Sequence, residues 1–135
     1  MGNRIVIATG IIPMPPSINH AYIRSVNGVF NTKEIRQWRD EAYFSWIATG
    51  TVPDKKVPPK TSWGWSASFR MSGRRRDMDN CYKSIQDLIA AVIGADDRYC
   101  DEDYHRKVVS PKYKNDVEIT VYIIGDEDEK EAGRS

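Results

Sequence analysis

Residues 62–70, SWGWSASFR, alternate cleanly, with Trp63, Trp65, Ala67 and Phe69 on one face. A period of two with bulky apolar residues on one side marks a half-buried strand. Downstream, from about Asp79 to Ile93, Tyr82, Ile85, Leu88, Ile89 and Val92 recur three and four apart. They form one apolar stripe of a helix, which Gly94 ends. Upstream, a helix is predicted from Thr32, which can cap it, with Ile35, Trp38, Ala42, Tyr43 and Trp46 at helical spacing.

The remaining segments read as strands and connections. NRIVIATGII (3–12) is a strand stopped by Pro13, Pro15 and Pro16, since proline cannot donate to a ladder. HAYIRSVNGVFNT (20–32) reads as a hairpin around Asn27-Gly28, the dipeptide a tight primed turn favours. TGTVPDKKVPPKT (49–61) is a Pro/Lys loop and the expected flexible segment. An acidic loop is predicted at 96–103, a short strand from Arg106 to Ser110, and a last strand at 116–124, where Val117, Ile119, Val121 and Ile123 face one way. Strands and helices mix without regular alternation. The expected fold is α+β, with two helices packed on a mixed sheet of four or more strands.

At 135 residues the chain is of single-domain size, and 40% hydrophobic residues supply one core. The expected division is a domain over 1–125 and a solvated acidic tail over 126–135 (DEDEKEAGRS). No apolar run approaches the roughly 20 residues of a membrane span, and MGNRIVIATG lacks the layout of a signal peptide. The expectation is a cytoplasmic protein without membrane association. Cys81 and Cys100 suit a reducing compartment; neither has a second cysteine nearby to make a zinc half-site. Net charge is +1, but without the tail the body holds 18 basic against 14 acidic residues. That balance is compatible with a nucleic-acid partner and does not demand one.

The chemistry concentrates in residues 70–87, RMSGRRRDMDNCYKSIQD. Arg74, Arg75 and Arg76 run directly into Asp77-Met78-Asp79-Asn80. At about 100° per residue, Lys83 sits roughly 40° and Asp87 roughly 80° from Asp79, all opposite the apolar stripe. Hard divalent cations take carboxylate oxygens together with water and substrate phosphate. Two carboxylates at a helix entrance, joined by Asp96 or Asp97 from beyond the helix, can make such a site. Phosphodiester hydrolysis needs an activated water and compensation of phosphate charge, which a metal and a neighbouring lysine supply. The arginines would hold backbone phosphates. The plainer alternative is an aspartate cap and an ordinary Asp79–Lys83 surface pair. Capping accounts for one aspartate, not for the pair plus Asp96 and Asp97.

RRRDMDNCYKSIQD resembles the arginine-rich D-x-D-N-x-x-K-x-x-x-D signature of RusA-type Holliday junction resolvases. PPSINHAY (15–22) is similar to that family's proline-rich opening, GVFNTKEIRQWR (28–39) to its hairpin and first helix, and GADDRY to its aspartate pair. The resemblance implies a homodimeric, Mg²⁺- or Mn²⁺-dependent endonuclease that resolves four-way DNA junctions, typical of phages and prophages. It places Asp77 and Asp79 on the first two catalytic and metal-binding aspartates and Lys83 on the catalytic lysine. Asp97 falls on the third carboxylate, with Asp96, then Asp101 or Asp103, as rivals. No small-molecule cofactor is implied. Arg74, Arg75, Arg76, Asn80 and Lys107 are the expected DNA contacts. The alternative is a non-catalytic branched-DNA-binding phage accessory protein on the same scaffold.

Other residues read more plainly. His20 and His105 stand alone and fit surface or hydrogen-bonded positions. Trp38, Trp46, Trp63 and Trp65 suit packing or a dimer contact, and Lys55, Lys56 and Lys60 a solvated loop.

Overall fold

A computed structural model describes residues 3–16, 33–73 and 81–125. The predicted hairpin, the acidic tail, the capping residue Thr32, and Arg74, Arg75, Arg76, Asp77, Asp79 and Asn80 lie outside them. Within them the order is β1 (Arg4–Pro13), α1 (Lys33–Thr49), β2 (Trp63–Met71), α2 (Tyr82–Ile93), a 3₁₀ turn (Asp97–Tyr99), β3 (Cys100–Val109) and β4 (Asp116–Ile124). The sheet order is β1-β4-β2-β3. β4 is antiparallel to both β1 and β2, whereas β2 and β3 are parallel. The chain is therefore α+β, two helices on a four-stranded mixed sheet.

The alternation in β2 does what the sequence demands: Trp63, Trp65, Ala67 and Phe69 are buried, as are Val117, Ile119 and Val121 of β4. These side chains meet Trp38, Ala42 and Trp46 of α1 and Ile85, Leu88 and Ile89 of α2 in one core. A helix lies flush on a sheet only where the strand leaves room. At Gly10 a Cβ would stand 2.7 Å from the Trp46 ring, so glycine lets the indole rest on β1. Trp46 Nε1 donates to the Thr51 carbonyl at 2.9 Å and Trp38 Nε1 to that of Pro13, also at 2.9 Å, so both indoles bury their apolar bodies without stranding a donor. Gly94 ends α2 in the left-handed region at φ 70°, its N–H returning to the Ala90 carbonyl.

Three expectations are corrected. Tyr43 is 46% exposed and sits beside Phe44 on the outer side of α1, so the stripe is Ile35, Trp38, Ala42 and Trp46. The predicted acidic loop is shorter, since β3 begins at Cys100 rather than near Arg106. Its acids are tolerated in a strand because they have partners: Glu102 accepts from Arg4 Nε at 2.9 Å and from the Tyr122 hydroxyl at 2.7 Å, and Asp101 accepts from the Ser62 hydroxyl. The Pro/Lys loop has no helix or strand of its own, but it is tied down. Thr51 bridges to Thr9, and buried Val57 donates to the Ile93 carbonyl at 3.1 Å.

Candidate active site

The β2–α2–β3 unit sets the positions of the described site residues. α2 runs antiparallel to β2. Its first residue, Tyr82, lies against Phe69 with ring centroids 5.6 Å apart; Gln86 accepts from Trp65 Nε1 at 3.2 Å; and beyond its end the Asp96 carbonyl accepts from Trp63 Nε1 at 2.9 Å. The helix thus acts as a spacer of about 18 Å.

At its first turn, Lys83 projects into solvent with its side chain 71% exposed, and Asp87 follows one turn on, their charged atoms 3.5 Å apart. The expected outward face is therefore present at Lys83 and Asp87. Lys107 comes back to the same end: it lies across from Phe69 on the helix-covered face of β3. Asp97 does not. It opens the 3₁₀ turn at the far end of α2, exposed and without an ion pair among the described residues. Its neighbour Asp96 is committed locally, accepting from Arg98 N at 2.9 Å and from the Arg98 guanidinium at 2.9 and 3.1 Å. Those bonds hold the Asp96 carboxyl below its ordinary range.

The sequence named His105 and Asp103 but not their surroundings, which β2 and α2 supply. His105, expected at the surface or hydrogen-bonded, is half-buried. Its ring stacks on Tyr82 at 3.7 Å and lies 4.8 Å from Trp65. Its Nε2 is buried without a hydrogen bond, and the nearest acid, Asp103, stands 3.5 Å away. That distance is electrostatic proximity rather than a bond. Burial pushes the imidazole down more than Asp103 raises it. Asp103 lies across from Trp65, which makes it the rival carboxylate nearer the beginning of α2 within one chain. The strand alternation at 103, 105 and 107 was the available signal, and it needed the true start of β3 to be read.

Among the described residues no three His, Cys, Asp or Glu side chains converge on a common cation position. The described acids therefore do not form a metal centre by themselves, and the expected ligands Asp77 and Asp79 lie outside them. The two cysteines are free; Cys81 is buried, and burial pushes the Cys100 thiol up to about 11, which makes it a poor nucleophile. No helix among the described residues is long and apolar enough to cross a membrane. Compared with protein-family models and with curated proteins, the chain matches none.

Proposed function

We propose that this protein is a divalent-metal-dependent endonuclease acting on branched DNA, with four-way junctions as its preferred substrate. The observation that carries the reading is the run Arg74–Asp87: two aspartates two apart, then a lysine four residues on, whose side chain stands clear of the core at the first turn of α2. In this reading Asp77 and Asp79 hold the Mg²⁺ or Mn²⁺ ion, with Asp97 or its rival Asp103 as third carboxylate. The cation would supply charge compensation and lower the pKa of the attacking water. Lys83 offsets negative charge on the scissile phosphate, which a hydrated ammonium one turn into a helix can do without being buried. Arg74, Arg75, Arg76 and Lys107 bind backbone phosphates, and Asn80 orients a ligand carboxylate or contacts phosphate. Two copies related by a two-fold axis would nick opposed strands of a near-two-fold junction.

The deciding experiment incubates the full chain with a labelled synthetic four-way junction, with and without Mg²⁺ or Mn²⁺. Cleavage that requires the ion, and that Asp79→Asn or Lys83→Met abolishes while junction binding persists, is the expected result. Binding without cutting under either ion overturns the nuclease reading in favour of a branched-DNA-binding accessory protein. Preferential cutting of flaps or forks overturns the junction assignment.

A further inference from the structure

The connection between β3 and β4, SPKYKN (110–115), is fastened at more points than a solvated loop needs. The Ser110 N–H donates to the Met71 carbonyl at 2.9 Å, and the Tyr113 N–H closes a turn on the Ser110 carbonyl at 3.0 Å. Asn115 stands in the left-handed region at φ 63°, which asparagine tolerates better than most residues. From there its side chain clasps the end of β2: Oδ1 accepts from the Ser72 N–H at 2.9 Å, and Nδ2 donates to Ser72 Oγ at 3.2 Å. The half-buried Tyr113 ring lies 5.7 Å from the Arg70 guanidinium, which Asp116 already holds at 2.7 and 3.0 Å.

This turn presents charge. Tyr113 faces inward, while Lys112 and Lys114 on either side of it are exposed, and neither has an ion pair among the described residues. Two neighbouring acids are already engaged, Asp116 by Arg70 and Asp87 by Lys83. Through the Asn115–Ser72 clasp the turn is tied to the exit of β2, where the chain passes through Gly73 into Arg74, Arg75 and Arg76. At the opposite end of the same strands the sign reverses. Asp96, Asp97, Asp101 and Asp103 crowd the beginning of β3, and the cations Arg98 and Arg4 are committed to Asp96 and Glu102.

We propose that Lys112 and Lys114 form a second phosphate-binding element, which seats the sugar–phosphate backbone of a DNA arm across this end of the sheet beside the arginine run. Two residues apart, their backbones lie within about 7 Å of each other. With both side chains on the outer side of the turn, they suit successive phosphates of one strand. Such contacts fix the register and orientation of a duplex without reading its bases. A loop that orders only on binding gives up part of its affinity to that ordering; a turn already held by Asn115 and Tyr113 does not. The inference deepens the proposed DNA reading and rests on it.

The test measures binding of the full chain to a labelled four-way junction, and to a duplex of one arm, by fluorescence anisotropy over a range of salt concentrations without divalent ions. Lys112→Gln/Lys114→Gln is expected to lower the slope of log affinity against log salt by about two on both DNAs. Lys55→Gln/Lys60→Gln removes the same charge from the exposed Pro/Lys loop at the opposite end and is expected to leave the slope unchanged. Asn115→Gly keeps the charge and the left-handed backbone but releases the clasp; it is expected to weaken binding with the slope retained. An unchanged slope in the Lys112/Lys114 variant, or an equal loss in both lysine pairs, overturns the element, and full affinity in Asn115→Gly overturns its pre-organisation. Metal-dependent junction cutting with the slope unmoved by Lys112→Gln/Lys114→Gln would leave the nuclease standing and remove this element. The expected loss of slope in a protein that cuts nothing would do the reverse.

Discussion

At the scale of single residues, His105 shows how a neutral strand position becomes a pH-sensitive one. Tyr82 and Trp65 flank its ring, and desolvation lowers its pKa against the smaller opposing effect of Asp103. The unfolded chain therefore binds this proton more readily than the folded one. The contribution to stability is fully present above the ordinary histidine value of about 6.5 and declines as pH falls below it toward the folded value. Replacing His105 by Phe keeps the stack and removes the proton, so the slope of urea midpoint against pH between about pH 5 and about pH 7 is expected to flatten. An unchanged slope would place the titration elsewhere. This residue was not legible beforehand. Its environment is made by β2 and α2, and the alternation that places it begins three residues inside a run of acids that composition assigns to a loop.

At the scale of elements, the two helices differ in how completely the sheet claims them. α2 has a wide apolar face closed by Gly94, whereas α1 buries one narrow stripe and leaves Tyr43, Phe44 and Ile47 at 46%, 71% and 46% exposure. Ile35→Ala is expected to cost about 2–5 kcal/mol, as for other fully buried aliphatic truncations. Phe44→Ala, nine residues along the same helix, should stay within about 0.5 kcal/mol. Paired denaturant titrations check both, and a large loss at Phe44 would mean that its face is covered in solution. Helical periodicity found both elements and their main contacts. It could not separate Tyr43 from Ala42, because adjacent residues are about 100° apart and the edge of a stripe is set by what packs there. The β2 and β4 alternations were readable because both strands are covered on one face only. The geometry of the candidate site was less so. Spacing indicated that Lys83 faces outward, but the position of Asp97 depends on α2 holding it a full helix length away, pinned by Trp63.

At the scale of the whole molecule, β4 is the keystone. It pairs with β1 on one side and β2 on the other, and Arg70 on β2 clasps Asp116 at its start with bonds of 2.7 and 3.0 Å. A chain ending before Asp116 loses the strand that joins β1 to the rest and is expected to lack a cooperative unfolding transition. One ending after Gly125 is expected to keep the full-length midpoint, since the last sheet register pair is Arg4 with Ile124. Calorimetry of the two truncations tests both. For the proposed junction binding, affinity should fall steeply with added salt, because each neutralised phosphate releases counterions; a flat dependence would remove Arg74, Arg75, Arg76 and Lys107 from binding.

The position of β4 also matters during synthesis. β1 emerges first, yet the strand it must pair with lies about a hundred residues later. At roughly 5–20 residues per second, the ribosome leaves β1 waiting for roughly 5–20 seconds with its ladder unmade. Its N-terminal half carries Ile5 and Val6, apolar and more than half exposed even in the finished sheet. The yield of native protein is therefore expected to rise when chaperones that shield extended apolar segments are co-expressed, which a comparison of soluble yields checks.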